Sequence, residues 1–471
     1  MNPANLILPI SARLGSTNLS QPSVFAVPGV NASNTISFPR NANRAIFSLS
    51  STGQANEEFW WSNGLQSDIL AFNASGGVLA GFSPFREVQV FIDGMLAGVQ
   101  WPFSIIFTGG VVPAFWSPMV GIDAFDLKEY EIDISPFLPL LCDGNTHTFT
   151  MKVSGLNDTV SGVNDTATLS EITGSNWQLT GKIFIWLDSD PNSITTGPLP
   201  SISASAPTIA VTQQLTQNST GTNETLTYTT SIQRSLSISS TIKTQNGTQS
   251  VSWSQSLSHT DKGIFLNFGN IQSNEITTEG SDVSSGAVPF SNTYTFPFFA
   301  NTTATLSPNG STTFTALLTR SKNITTTGTS LYPSPLQVFA ASSDPKISTL
   351  AKGLEGYSVT TTQNGTAVLI LVPGNSNASG SFGSTSQVFR VGGVSAQGTL
   401  GMQDTELFFR RVGAVNGTVN GDVERMVGKE VVAVVDEGGG VSGGVGMDLD
   451  FVAGRRRQVV LGQNLGSRGG D

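Results

Sequence analysis

Leu226–Ser258 reads LTYTTSIQRSLSISSTIKTQNGTQSVSWSQSLS, and this stretch decides the fold. Hydroxyl-bearing residues alternate with apolar ones, so one face can be buried while the other meets water. A period of two is that of a strand and not of a helix. Asn246-Gly247 interrupts the alternation and predicts a tight hairpin, because a primed turn needs positive φ at its centre. Asn364-Gly365, between similar runs, is expected to mark another. The same Thr/Ser/Asn texture covers residues 211–335.

Working outward, strands are expected at Arg44–Leu49, Val88–Ile92, Leu96–Trp101, His147–Val153 and Lys182–Leu187. Asp93-Gly94 and Asp143-Gly144 supply two further turns. Ser189–Pro207, with four prolines and no periodicity, reads as a crossing between domains. The chain is therefore expected to be all-β, with two antiparallel, jelly-roll-like β-sandwich domains. Residues 1–188 form the first and 211–428 the second, 189–210 link them, and 429–471 are a Gly/Arg-rich tail expected to be partly disordered.

Composition excludes several classes. Only 12% of the 471 residues are charged and the net charge is −10, which argues against a nucleic-acid surface. No run approaches the roughly 18 apolar residues of a membrane span. With His147 and His259 the only histidines, no His-rich metal cage can form. The lone Cys142 sits among apolar residues and reads as inert, either a buried thiol or one whose disulfide partner lies upstream. The N-terminus lacks the pattern of a signal peptide, yet fourteen Asn-x-Ser/Thr sequons are present. They point to a secreted, vacuolar or cell-wall-associated glycoprotein whose true N-terminus lies upstream, leaving the first sandwich incomplete.

Glu87–Asp143 is the stretch richest in chemistry. It is largely apolar yet carries Asp93, Asp123, Asp126, Glu131 and Asp133, and buried carboxylates are costly unless paired or hydrogen-bonded. Upstream, Glu57 and Glu58 precede Trp60 and Trp61. Acids beside tryptophans suit a sugar-binding cleft; an edge strand with one Glu in solvent is the plainer alternative. Trp101 and Trp116 are candidates for an aromatic wall, or for ordinary core. Gly109-Gly110 permits close backbone approach and offers N–H groups to an oxyanion. Arg86 is either a salt-bridge partner or a donor to sugar hydroxyls.

At NEEFWWSN, SPFREVQVFIDG, WPF, FTGGVVPAFWSP, GIDAFDLKEYEIDISPFLPLLCDG and His147-Thr148-Phe149, the chain resembles the peptide N-glycosidase A family. The resemblance implies a β-sandwich architecture, no metal or organic cofactor, and an N-glycosylated peptide or protein as substrate. The reaction implied is hydrolysis of the amide joining the first GlcNAc of the glycan to its Asn. Two departures stand out: the chain begins late relative to the family, and Phe107 replaces a frequent His.

An amide hydrolase of this kind needs a carboxylate to activate water and donors for the oxyanion. Glu58 and Asp93 are the leading pair, followed by Glu57 and Asp126. Trp60, Trp61, Arg86, Trp101 and Trp116 would grip the core sugar, with Gly109 and Gly110 beside them. The alternative is a non-catalytic glycan-binding or cell-wall β-sandwich protein. Two carboxylates about 5–8 Å apart on one groove would favour hydrolysis.

Overall fold

The structure is a computed structural model that describes residues 3–11, 23–75, 77–123, 128–159, 167–329, 331, 334–397, 401–428 and 432–433. Asp126, and the 429–471 tail apart from residues 432–433, lie outside the described residues. Strands hold 58% of the described residues and helices 9%, so the all-β expectation holds. Among the described residues no helix is long and apolar enough to cross a membrane.

Among the described residues the first half contributes ten strands. They are β1 (Leu6–Pro9), β2 (Phe25–Val27), β3 (Ser33–Ser37), β4 (Ala42–Gly53) and β5 (Glu87–Ile92). After them come β6 (Met95–Gln100), β7 (Tyr130–Asp133), β8 (Thr146–Asn157), β9 (Thr168–Ser170) and β10 (Trp177–Leu187). One sheet runs β1-β10-β4-β7 with β2 also on β10; the other runs β3-β8-β5-β6 with β9 on β8. The two sheets face each other. Phe47 of β4 stacks on Phe149 of β8 at 6.3 Å, and both side chains are fully buried.

The expected turns form at Asp93-Gly94, with φ of 48° and 81°, and around Gly144, with φ of 97°. Between β7 and β8, Leu138–Leu141 forms a single helical turn. NEEFWWSN is not a strand: Ala55–Glu57 and Trp60–Ser62 are short 3-10 turns.

In the second half the strands are β11 (Ser201–Ala204), β12 (Thr208–Gln217), β13 (Asn223–Thr244), β14 (Gly247–Leu266), β15 (Ile271–Ser285) and β16 (Phe290–Leu306). They continue as β17 (Thr312–Gly328), β18 (Gly356–Leu371), β19 (Gly380–Gln397), β20 (Gly401–Val415), β21 (Thr418–Met426) and β22 (Val432–Ala433). From β13 onward each strand pairs with the next in one antiparallel meander of a twelve-stranded sheet, and β11 and β12 both pair with β13. The strand β11 falls within the 189–210 segment read as a linker.

Burial alternates residue by residue along β13 and β14, as the Ser/Thr pattern requires. The layer that covers the buried face is the first half itself. Trp61 packs on Phe298 at 4.6 Å, Phe103 on Phe296 at 5.3 Å and Phe85 on His259 at 5.2 Å. One hydrophobic core therefore runs through both halves. Polar keys lock the layers in register: Gln255 exchanges two 2.9 Å hydrogen bonds with the backbone of Val99, and the Tyr228 hydroxyl donates to the carbonyl of Asn63.

One turn expectation is corrected. Asn364-Gly365 lies in the middle of β18, where Asn364 pairs with Thr319 and Ser386. Gly365 serves packing there: a Cβ would stand 2.8 Å from the Phe115 ring and from the carbonyl oxygen of Ser384.

Candidate active site

The sandwich geometry gives β4 two faces. Ala45, Phe47 and Leu49 point into the first core, so Arg44, Ile46 and Ser48 point outward. Residues directly opposite across an antiparallel pair share a face. Register places Asp133 beside Ile46 and Glu131 beside Ser48, and Trp186 opposite Arg44. The outward face thus gathers a guanidinium, an indole and two carboxylates from three strands. The register slips between Trp186 and Leu187, a bulge of the kind that re-aims side chains next to functional sites.

Over this face stand the tips of the β13–β14 and β15–β16 hairpins. Between them and the sheet is a cleft of about 510 Å³, lined by Arg44, Asp133, Ser135 and Trp186 on one side and Asn246, Gln249 and Ser284 on the other. That is a volume suited to a small-molecule or sugar site. Asp188 holds the first hairpin tip in place: its carboxylate accepts from the backbone N–H of Gln245 at 2.7 Å and from the Asn43 amide at 2.9 Å.

Inside the cleft, Asp133 accepts hydrogen bonds from the Ser135 backbone N–H at 2.8 Å and from the Ser284 hydroxyl. Burial pushes its pKa above the ordinary Asp value, and those hydrogen bonds, with the charge of Arg44, only partly offset this. The Arg44 guanidinium lies over the Trp186 ring at 4.5 Å and donates through Nη2 to the carbonyl of Thr329 at 3.0 Å. Its Nε is buried without a hydrogen-bond partner among the described residues.

Glu131 lies two residues back on the same face of β7, about 7 Å along the strand. One oxygen accepts from the Leu331 N–H at 2.8 Å; the other is 3.6 Å from Lys128 Nζ, within ion-pair reach but too far for a hydrogen bond. Deeper still is Asp282, raised to about 7 by burial, with Gln255 donating to it at 2.7 Å and the charge of Glu131 adding to the upward push. The cleft therefore offers a carboxylate of increased basicity, a guanidinium whose Nε has no partner among the described residues, and a tryptophan.

The residues singled out by sequence fall elsewhere. Glu57 is fully buried and receives Arg86 in a bidentate pair, Nε at 2.5 Å and Nη2 at 2.7 Å. The Trp177 indole and the Gly174 N–H, both at 2.8 Å, complete its shell. Burial alone would raise the Glu57 pKa, but Arg86 and these donors outweigh it and hold the carboxyl below its ordinary value. Arg86 also donates through Nη1 to the carbonyls of Phe82, Ser83 and Phe85 and is buried, so it does not reach a sugar on the surface. Next to it, Glu87 accepts from the Trp101 indole at 2.9 Å and pairs with Arg234 of β13, tying the halves together.

Trp60, Trp61, Trp101 and Trp116 are 5%, 0%, 1% and 5% exposed; they pack the core between the layers and offer no face to a ligand. Gly110 spends its N–H on the Phe107 carbonyl at 2.9 Å, and its carbonyl accepts from the Trp116 indole at 2.7 Å. Gly109 takes positive φ, 92°, to make that turn.

Glu58 is half-buried beside Glu57. Asp93 sits at the opposite end of β5 from Arg86, roughly 20 Å away at the rise of a strand, so the structure does not bring Glu58 and Asp93 to one groove. Asp93 caps the sheet end, accepting from the Thr148 N–H and meeting His147 Nδ1, both at 2.7 Å. Neither His259 nor Cys142 offers an alternative nucleophile or base: burial lowers the imidazole to about 3 and raises the thiol to about 12.

Comparison with known proteins gives concordant matches. The family described as Peptide N-acetyl-beta-D-glucosaminyl asparaginase amidase A matches residues 1–201, and the PNGase_A C-terminal domain matches residues 227–298. The chain is 34% identical over 271 residues to peptide-N4-(N-acetyl-beta-glucosaminyl)asparagine amidase A of Prunus dulcis, across 57% of this chain and 42% of that protein. It thus spans less than half the length of this curated relative. No solved structure matches the chain.

Proposed function

Because this chain belongs to the peptide N-acetyl-beta-D-glucosaminyl asparaginase amidase A family, we propose that it hydrolyses the amide between the core GlcNAc of an N-glycan and its asparagine, and that the Arg44–Asp133–Trp186 cleft is where it does so. The observation that carries this reading is the meeting, on one wall, of a carboxylate made more basic by burial and a guanidinium nitrogen with no partner among the described residues. In ionised form Asp133 takes a proton from water as the water attacks the amide carbon. It then returns that proton to the leaving nitrogen, which departs as a glycosylamine, and the asparagine becomes aspartate. Arg44 holds the tetrahedral oxyanion. Trp186 supplies an apolar surface for the sugar, while the Ser135 and Ser284 hydroxyls lie within the same cleft.

The substrate on this reading is an N-glycosylated peptide or protein. The fourteen sequons support a place in the secretory route, at the cell wall, in the vacuole or outside the cell. Incubating the chain with an N-glycopeptide and following the peptide by mass tests the reaction. Conversion of Asn to Asp with release of an intact glycan is expected. Glycan binding without conversion would overturn the hydrolase reading and leave a binding protein.

A further inference from the structure

The cleft carries a modification signal on its own rim. Asn246-Gly247-Thr248 is a sequon, and all three of its residues line the cleft. Asn246 and Thr248 are exposed, on the tip of the β13–β14 hairpin, so the acceptor amide is accessible to a glycosylating enzyme. The tip is also fixed in place. The Gln245 side-chain oxygen accepts from the Ser189 hydroxyl and the Asp190 N–H, both at 3.0 Å, and the Asn246 N–H donates to the Thr244 hydroxyl at 3.2 Å. A group attached to Asn246 is thereby held over the cleft. Other sequon asparagines, such as Asn31, Asn309 and Asn416, do not line it.

We propose that Asn246 is an N-glycan acceptor and that its glycan lies across the cleft mouth, competing there with free glycopeptide. In the modification, Asn246 Nδ2 bonds to the anomeric carbon of a GlcNAc and releases a proton. The co-reactant is a lipid-diphosphate-linked oligosaccharide, whose glycosyl–phosphate bond breaks so that the lipid diphosphate leaves. A short tether of this kind gives an effective concentration in the millimolar range, enough to matter against dilute substrate. The consequence for the cleft rests on the function proposed above: the tethered glycan offers the same core sugar as the substrate.

The test compares the full chain secreted from cells that attach N-glycans with the same chain made in bacteria, which carries none. Peptide mapping reads occupancy at Asn246, and calorimetry reads binding of an N-glycopeptide without depending on turnover. A glycan on Asn246 is expected, with binding roughly tenfold weaker in the glycosylated protein than in bacterial protein. Asn246→Gln and Thr248→Ala, made in the glycosylating cells, should both restore the tighter binding, whereas Asn31→Gln should not. An unmodified Asn246, an aspartate in its place, or equal binding by all forms overturns this proposal alone. Failure of every form to bind, the bacterial protein included, overturns the reading of the cleft and this proposal with it.

Discussion

Two carboxylate-rich regions of this molecule hold similar residues in opposite states. Around Glu57 and Glu87, acids meet Arg86, Arg234, Trp101 and Trp177 deep in the core, and hydrogen bonds complete their shells. Around Asp133 an acid, an arginine and a tryptophan meet at the edge of the same core, but beside open volume and with a carboxyl whose pKa burial raises; an arginine Nε without a partner among the described residues occurs in both regions, Arg44 in this one and Arg234 in the other. Acid and aromatic content is thus no guide to chemistry by itself. A cluster whose carboxylates are hydrogen-bonded deep in the core fastens layers together, and one beside a cavity can still bind or react.

The comparison would break first on stability. Arg86→Met should leave Glu57 buried and uncompensated, at a cost of about 3–5 kcal/mol, read by denaturant unfolding. A loss below about 1 kcal/mol would mean that the closed cluster does not fasten the fold.

A similar magnitude is expected from pH, behind the open cluster. The folded-state pKa of Asp282 is raised to about 7, so between that value and its unfolded value the folded chain holds a proton that the unfolded chain releases. Stability from this group is fully present below about pH 4 and is lost as pH rises through 7, in total on the order of 4 kcal/mol. Asp282→Asn should remove that share of the slope. Identical pH profiles for the two proteins would contradict the burial argument.

Smaller effects sharpen the contrast. Trp186→Ala should raise KM for a glycopeptide roughly tenfold, about 1.4 kcal/mol, through lost sugar packing; an unchanged KM would remove Trp186 from the site. Asp93→Asn, which alters a turn cap on the far end of β5, should cost about 1 kcal/mol of stability or less and leave turnover intact. Loss of turnover there would restore Asp93 to the chemistry.

Much of this was legible in local sequence, and what was not has a common cause. The alternation in Leu226–Ser258 specifies strands whatever surrounds them, and Asp93-Gly94 specifies its turn because both residues need positive φ. Asn364-Gly365 carries the same turn chemistry but lies mid-strand, since Phe115, some 250 positions earlier, packs where a Cβ would be. The site shows the same limit. Glu57 and Trp60 stand out in the sequence by lying within one short acid-and-tryptophan run, yet tertiary packing buries both. Arg44 and Trp186 are far apart in the chain and unremarked locally; only the register of β4 on β10 sets them face to face. Asp133 belonged to the acid-rich run, and a period-two reading of Glu131 and Asp133 against Arg44 was the signal available for finding it.

The proposed hydrolysis is assigned to the open cluster, not to the acids beside the NEEFWWSN tryptophans. The most direct test of that assignment is glycopeptide turnover by Asp133→Asn and Glu58→Gln, compared with the unmodified chain. Asp133→Asn is predicted to lose about 10²- to 10⁴-fold in kcat while Glu58→Gln retains wild-type turnover. Full activity in Asp133→Asn, or its loss in Glu58→Gln alone, would contradict the claim.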